Sequence, residues 1–221
     1  LNKKQTEQNK LKTEKEKQEN LVVQLSKKEG DLQRQVNDKI KKAKALESKI
    51  RKIIELEIKK ARDAAKARGV SSFEMTPEQQ ILADNFTANK GTLPWPVNRG
   101  VIIEGFGKQK HAVLPGIETY NNGIKIATEK GASIRSVFNG TVSKVLNIPG
   151  SGQALIISHG DYFSVYSGLS KVSVKQGDRI KTKQAIGVAL TNLKTKETLT
   201  ELQIWKGSQK LNPAQWIYRA Y

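Results

Sequence analysis

The sequence predicts an α+β protein with a long N-terminal helical coiled coil, a short connector helix and an all-β C-terminal domain. Three observations predict this order. Residues 1–68 contain no proline and space their aliphatic residues by three or four. Residues 69–92 contain a proline-led helix start, and residues 93–221 are rich in glycine and short β-branched runs. We therefore treat the chain as three segments with these bounds.

Composition limits the classes of function. The 221 residues include 39 Lys and Arg against 21 Asp and Glu, a net charge of +18, and no Cys. The lack of Cys excludes disulfides and thiolate metal sites. The positive charge either serves solubility alone or indicates an anionic partner, such as nucleic acid, a membrane face or a cell-wall polymer. No base-reading motif or aromatic platform supports nucleic acid.

The N-terminus is not typical of an export signal. The first residues, LNKKQTEQNK, lack both an initiator Met and the apolar stretch of a signal peptide. No run approaches 18 apolar residues, so the sequence predicts no membrane-spanning helix. We expect the natural N-terminus to lie upstream of this chain.

Residues 1–68 have the pattern of a coiled-coil helix. The aliphatic positions follow steps of three or four, with one step of seven where Gly30 falls. The run from Leu46 to Ile58 is denser, with Ile53 and Leu56 widening the stripe, so we expect this end to pack on another part of the structure. The simplest interpretation is a dimeric or folded-back coiled coil without chemistry. The positions are Leu21, Leu25, Leu32, Val36, Ile40, Ala43, Leu46, Ile50, Ile54 and Ile58.

Residues 69–92 form a connector. Thr76-Pro77-Glu78 is a helix start, with Thr as the N-cap and Pro in the first turn. The predicted helix ends at Gly91, and its apolar residues Ile81, Leu82 and Phe86 are at helical spacing. The helix docks on the following domain, on the coiled coil or on a partner, and the sequence does not choose between these.

Residues 93–221 predict an all-β domain, because short strand-like runs alternate with turn signals. Five stretches carry motifs in order: LPWPVNRGVIIEGFG, GIKIATEKGASIRSVFNGTVSKV, SGQALIISHGDYFSVYSGLS, VSVKQGDRIKTKQAIG and ELQIWKGSQKLNPAQWI. These motifs resemble, in the same order, those of LytM-type (lysostaphin-like) zinc metallopeptidase domains, which have a duplicated hybrid motif fold.

The zinc-site residues of that family are replaced here. The family's His-x-x-x-Asp corresponds to Asn121 and Lys125, and the His of its Tyr-x-His-Leu corresponds to Gly168. The closing His-x-His corresponds to Glu201 and Gln203. Catalytic zinc needs three protein ligands and an open position for water. Because Lys125 carries an ammonium and only Glu201 remains a competent ligand, the resemblance implies a domain without catalytic residues, metal or other cofactor.

A degenerate LytM-like domain behind a coiled coil resembles the EnvC-type murein hydrolase activators. The resemblance implies a non-catalytic activator of cell-wall amidases (N-acetylmuramoyl-L-alanine amidases), acting in cell division and daughter-cell separation. It implies that the amidase docks in the former active-site groove, and that the coiled coil binds a membrane complex of the FtsE–FtsX type. It also implies a periplasmic or otherwise exported protein.

The groove could accept a helix or strand of a partner. In this hypothesis the basic Lys125 and neighbouring aromatic residues hold an acidic, partly apolar helix. Residues 77–89 form a candidate self-inhibitory helix that would block the groove in cis; plain packing on the domain is the alternative. The former zinc positions could also have drifted without any role. The predicted groove residues are Tyr120, Lys125, Tyr166, Glu201 and Gln203.

Two rival functions remain open. One is a peptidoglycan-binding structural protein, whose positive charge holds anionic polymer in a salt-sensitive way. The other is a zinc endopeptidase with the unusual ligands His111, His159 and Glu201, which we consider the weaker alternative.

Overall fold

The computed structural model describes residues 2–67, 75–110 and 118–220. The chain divides into two compact units, 1–45 and 46–221. The segment Leu46–Ala67 therefore belongs to the same unit as the β-domain, although the sequence places it in the coiled coil. No helix among the described residues is long and apolar enough to cross a membrane.

Helix α1 spans Asn2–Ala67. In the first unit the aliphatic positions Leu11, Leu21, Leu25 and Leu32 are exposed, so a partner for the coiled-coil seam stays a prediction. In the second unit the prediction that the denser run packs on other structure is confirmed. Ile50 and Ile54 are fully buried, with Leu46, Ile53 and Ile58 partly buried beside them. The expectation for Leu56 is wrong, because 56% of this residue is exposed.

Helix α2 spans Pro77–Ala88 and begins as its sequence predicts. The Thr76 side chain accepts a hydrogen bond from the Gln79 backbone, and the Gln79 side chain accepts one from the Thr76 backbone. This capping box satisfies two backbone donors that the first turn leaves free. The helix ends before the predicted Gly91, with Asn89 as its C-cap.

The described residues of the C-terminal domain contain twelve strands. The strands are β1 Gly100–Glu104, β2 Gly107–Lys110, β3 Glu118–Asn121, β4 Ile124–Thr128, β5 Ser133–Arg135, β6 Gly140–Ile148, β7 Gly152–His159, β8 Tyr162–Val172, β9 Arg179–Ile180, β10 Ala185–Thr191, β11 Thr198–Lys206 and β12 Gln209–Leu211.

Ten of these strands form one antiparallel sheet. Its order is β1-β4-β11-β10-β8-β7-β6-β9, with β5 pairing β10, β12 pairing β11, and an additional pairing of β11 with β8. Strands β2 and β3 form a separate hairpin. Strand β11 pairs with β4 at 199–202 and with β8 at 201–206, so Glu201 and Leu202 lie between these two neighbours.

The two faces of β11 contribute to two different cores. Leu202 and Ile204 belong to the larger core, which also contains Phe86 of α2. Trp205 points to the opposite face and joins a smaller core with Ile50 and Ile54 of α1. This division follows from the alternation of side chains along a strand. It places Gln203 and Glu201 on the face that α1 covers.

Candidate functional site

Cross-strand pairing brings four polar residues into one row. Glu104 of β1 pairs with Lys125 of β4, which pairs with Glu201 of β11, which in turn pairs with Ser167 of β8. Directly opposed residues of antiparallel strands have adjacent side chains on one face. The row therefore joins positions that are far apart in sequence, and two of its members, Glu104 and Ser167, were not predicted.

Lys125 forms an ion pair at one end of the row. Its Nζ donates to Glu104 Oε2 at 2.7 Å, and Asn121 Nδ2 donates to the same oxygen at 3.1 Å. Asn121 Nδ2 also donates to the carbonyl oxygen of Gly105 at 3.1 Å. The side chains of Lys125 and Glu104 are 38% and 41% exposed. Because water screens such a pair, it contributes at most about 1 kcal/mol to stability and stays accessible to a partner.

Glu201 and Gln203 belong to a continuous hydrogen-bonded network. Glu201 accepts from Ser167 Oγ at 3.1 Å and from Gln203 Nε2 at 2.9 Å, while Gln203 Oε1 accepts from Trp205 Nε1 at 3.0 Å. Burial raises the pKa of Glu201, against the hydrogen bond from Gln203 and the charge of Lys125. The network explains how polar side chains lie in a largely buried strand, because each has a partner.

The position of Gly168 admits no side chain. Its φ is +74°, and a Cβ there would lie 2.7 Å from the carbonyl oxygen of Leu199. This left-handed conformation disfavours any residue with a Cβ, and the close approach of β11 adds a steric clash. An imidazole at Gly168 would require the backbone of β8 to move.

The prediction that Tyr166 lines the groove is wrong. Tyr166 is fully buried in the larger core, and its hydroxyl accepts a hydrogen bond from Val137 N at 2.9 Å. In the pairing of β8 with β11 it lies opposite Leu202. Its side chain therefore points away from Glu201 and Gln203, as strand alternation requires.

The structure reveals a further cluster of cations and aromatic rings beside the row. Lys210 Nζ lies 5.1 Å from the ring centre of Tyr120 and 5.8 Å from that of Trp205. It also donates to Glu47 Oε1 of α1 at 2.7 Å and to Asn122 Oδ1 at 2.8 Å. Tyr120 itself is 56% exposed, so the prediction that it is available to a partner is consistent with its position.

Glu47 connects α1 to this cluster. Burial works to raise the pKa of Glu47, but the hydrogen bond and charge of Lys210 lower it below its ordinary value. One turn further along α1, the Arg51 guanidinium lies 5.6 Å from the Trp205 ring centre. These contacts, with the buried Ile50 and Ile54, fix residues 46–58 of α1 on the face of the sheet that carries the row.

The comparisons with known proteins give one family match and several relatives. Residues 119–213 match the model of peptidase family M23. An uncharacterized protein of Neisseria meningitidis is 34% identical over 136 residues, which cover 61% of this chain and 22% of that protein. Stage II sporulation protein Q of Bacillus subtilis is 34% identical over 121 residues, which cover 50% of this chain and 42% of that protein. Peptidoglycan DD-endopeptidase ShyB of Vibrio cholerae is 35% identical over 99 residues, which cover 43% of this chain and 23% of that protein.

The match to the M23 model lies within the C-terminal domain, which is LytM-like in fold. A solved structure of the SpoIIQ–SpoIIIAH pore-forming complex shares this fold, with a TM-score of 0.50 and 24% identity over 59% of this chain and 93% of that chain. The chain spans less than half of the length of the curated relatives it matches.

The residues at the predicted M23 zinc positions do not fit a catalytic zinc. They offer the amides of Asn121 and Gln203, the ammonium of Lys125 and one carboxyl group, that of Glu201. Zinc in M23-like sites needs imidazole or carboxylate ligands in a fixed tetrahedral set. Within residues 2–67, 75–110 and 118–220, no group of three or more His, Cys, Asp and Glu could hold a metal ion.

His159 is not available as a further zinc ligand. Its ring is fully buried, with Nδ1 at 2.5 Å from Asn139 O and Nε2 at 2.7 Å from Ser164 Oγ. Burial lowers the pKa of His159 to about 4. Both ring nitrogens have protein partners, so this M23-like domain uses His159 in its core. His111, the other histidine considered, lies outside the described residues.

Of the two alternatives for α2, the structure shows plain packing on the domain and not occupation of the groove. Phe86 of α2 is fully buried in the larger core, where its ring stacks on His159 and Tyr162 at centre distances of 5.0 and 4.8 Å. Leu82 packs against the same core, and Ile81 is 60% exposed. The helix that covers the M23-like groove face is the Leu46–Ile58 part of α1, because α1 supplies Ile50 and Ile54 to the smaller core there.

Proposed function

We propose that this chain is a non-catalytic, M23-like activator of a cell-wall amidase, an N-acetylmuramoyl-L-alanine amidase. The observation that carries the proposal is the Lys125–Glu104 ion pair at the position where the family resemblance expects an acidic metal ligand. A cation at this position repels zinc and attracts a carboxylate of a partner. The Ser167–Glu201–Gln203–Trp205 network then serves as a fixed polar floor.

The accessible part of the groove has the chemistry to hold an acidic, partly apolar segment. Lys125 and the ring of Tyr120 are exposed at its rim, whereas Gln203 is buried. A partner carboxylate would compete with Glu104 for the Lys125 ammonium, and an apolar side chain would cover Tyr120. Recognition of this kind uses a concave surface with a few placed polar groups.

Helix α1 is the proposed regulatory element. Its Leu46–Ile58 part covers the groove face, so full access for a partner helix requires this part to shift. A pull on the N-terminal part of α1 by a membrane complex of the FtsE–FtsX type would supply that shift. The proposal places the protein in the periplasm or another exported location, where division-associated amidases act on peptidoglycan.

The direct test is release of dye from labelled peptidoglycan by the full chain, by an amidase of the same organism, and by both together. Release that needs both proteins and is unchanged by added zinc supports an activator. Release by this chain alone that a chelator abolishes would instead restore the zinc endopeptidase. Salt-sensitive sedimentation with sacculi and no stimulation of the amidase would favour the structural wall-binding protein, which the net charge of +18 suggests.

A charge reversal tests the groove itself. We expect Lys125→Glu to lower amidase stimulation about five- to tenfold, the effect of losing a contact worth about 1–1.4 kcal/mol. The matched control is Lys130→Glu, since Lys130 is exposed in the turn after β4 and outside the row. Equal loss in both variants would show that net charge, and not the groove, supports stimulation.

A further inference from the structure

A second concave surface lies at the other end of the sheet from the row. In the strand order, β9 forms the end opposite β1, and it pairs with β6. Ile180 of β9 is buried in the larger core, while its neighbours Arg179 and Lys181 are exposed. Both cations line one side of this concave surface.

The surface around β9 is strongly positive. Lys144, Lys175, Arg179, Lys181 and Lys183 are all exposed, and none of them forms an ion pair with another residue in the described part of the chain. The only acidic residue between positions 171 and 183 is Asp178, whose Oδ2 accepts a hydrogen bond from the Lys175 backbone at 2.9 Å. Unpaired like charges held together create a local field that attracts anions.

An apolar wall faces these cations across a groove of about 810 Å³ between α2 and β9. On the α2 side Ile81 is 60% exposed and Leu82 is half-buried. On the β9 side the groove is lined by Arg179, Lys181 and Thr182. Glu78, in the first turn of α2, is the acidic residue on the lining. The volume lies within the range of clefts that bind ligands.

Hydrogen bonds hold the β9 wall in place, and core packing holds the α2 wall. Thr182 donates to Asn139 Oδ1 from its backbone at 2.8 Å and from its hydroxyl at 3.0 Å. The Lys181 backbone donates to Gln184 Oε1 at 2.9 Å. The opposite wall is fixed by the burial of Phe86 in the core. A pre-formed groove loses little entropy when a ligand binds.

We propose that this α2–β9 groove binds an acidic, partly apolar peptide segment of a partner protein. Carboxylates of the segment would pair with Arg179 and Lys181, and its apolar side chains would cover Ile81 and Leu82. This surface is separate from the row of Glu104, Lys125, Glu201 and Ser167, so the inference does not depend on the proposed amidase activation.

The apolar wall distinguishes a peptide from other anionic partners. An anionic polymer without apolar groups would use the cations and leave Ile81 exposed. A membrane surface would need cations on a projecting face, whereas Arg179 and Lys181 line a concave one. A peptide that alternates acidic and apolar residues uses both walls at once.

The test measures fluorescence anisotropy with the full chain and two dye-labelled peptides of equal length and charge, one alternating Glu and Leu, the other Glu and Ser. We expect the Glu/Leu peptide to bind more tightly. Arg179→Glu with Lys181→Glu should weaken it about tenfold, whereas the control pair Lys130→Glu with Lys194→Glu, of equal charge change, should have less than about a twofold effect. Ile81→Ser should weaken only the Glu/Leu peptide, and Leu193→Ser, at another exposed apolar residue, should weaken neither.

Several results would overturn the inference. Equal weakening of peptide binding by the two charge-reversal pairs would show that binding depends on net charge alone. Equal binding of the Glu/Ser and Glu/Leu peptides would indicate an anionic polymer, and binding of anionic lipid vesicles without the Glu/Leu peptide would indicate a membrane. No binding of either peptide would also reject it. Unchanged thermal unfolding of each variant serves as the folding control, since the substituted side chains are exposed.

Discussion

At the scale of single residues, the structure accounts for a catalytic histidine that is missing, at Gly168, and for a histidine that is present, His159. Gly168, where the resemblance expects a catalytic imidazole, has no space for any side chain. His159, a histidine that is present, is enclosed in the larger core with both ring nitrogens bonded. Gly168 and His159 therefore contribute packing and hydrogen bonds, and the accessible charges of the row are those of Lys125 and Glu104.

The steric clash of a Cβ at Gly168 can be measured separately from the strain of its positive φ. Gly150 has the same φ of +74°, but a Cβ at Gly150 would meet no other atom within 4 Å. We expect Gly150→Ala to lower the free energy of unfolding by about 1 kcal/mol, from strain alone. Gly168→Ala should cost roughly 2–4 kcal/mol, because the clash with Leu199 adds to the strain. Denaturant unfolding of both variants measures this, and equal costs would show that β11 adjusts freely.

The burial of His159 predicts a pH dependence of stability. Its pKa is about 4 in the folded chain against 6.5 for an unperturbed histidine. Between these values the unfolded chain binds a proton that the folded chain does not, so His159 makes stability fall as pH falls from about 6.5 to 4. The total is about 3 kcal/mol.

The variant His159→Gln isolates this contribution. Glu201 acts in the opposite sense, because its raised pKa removes stability as pH rises through that pKa. We therefore compare the pH dependence of the free energy of unfolding in the two proteins. The slope between pH 4 and 6.5 should be smaller in His159→Gln, and identical slopes would contradict the buried, neutral histidine.

At the scale of elements, the groove face is covered by the end of α1 and not by α2. The short helix α2 packs its aromatic residue into the larger core, whereas the end of the long helix α1 covers the groove face. The density of aliphatic residues from Leu46 to Ile58 indicated that this part packs on another element. The periodicity could not show which face of the sheet receives it, because a helical stripe carries no information about its partner.

The packing of α1 gives a prediction of its own. Ile50→Ala and Ile54→Ala should each lower the free energy of unfolding by roughly 2–5 kcal/mol, since both side chains are fully buried. Leu56→Ala, at a position that is 56% exposed on the same helix, should change it by less than about 0.5 kcal/mol. Denaturant unfolding followed by circular dichroism checks this; equal effects at all three positions would contradict the described contact with the sheet.

At the scale of the whole molecule, motif order predicted more than periodicity did. The M23-like fold could be predicted because several motifs occur in sequence with the right spacing, and the Glu201–Gln203 face followed from strand alternation. The site was less predictable. Glu104 and Ser167 join the row only through the pairing of β1 with β4 and of β8 with β11, which no local pattern encodes. Tyr166 was misplaced because alternation does not say which face of β8 is buried.

The same limit applies to the cluster around Lys210. Glu47, Asn122 and Lys210 are separated by 75 to 163 positions in the chain, yet they are joined by hydrogen bonds. Nothing in the composition distinguishes Lys210 from the other basic residues of a chain with 39 of them. Only the folded sheet brings its ammonium between Tyr120 and Trp205.

The zinc content of the full chain, measured after dialysis against zinc and then against zinc-free buffer, tests whether the catalytic zinc site is lost. We expect no stoichiometric zinc, because Asn121, Lys125 and Gln203 offer no imidazole or carboxylate. The same expectation is that the chain alone cleaves no peptidoglycan. One zinc ion retained per chain, together with chelator-sensitive cleavage of peptidoglycan, would contradict it.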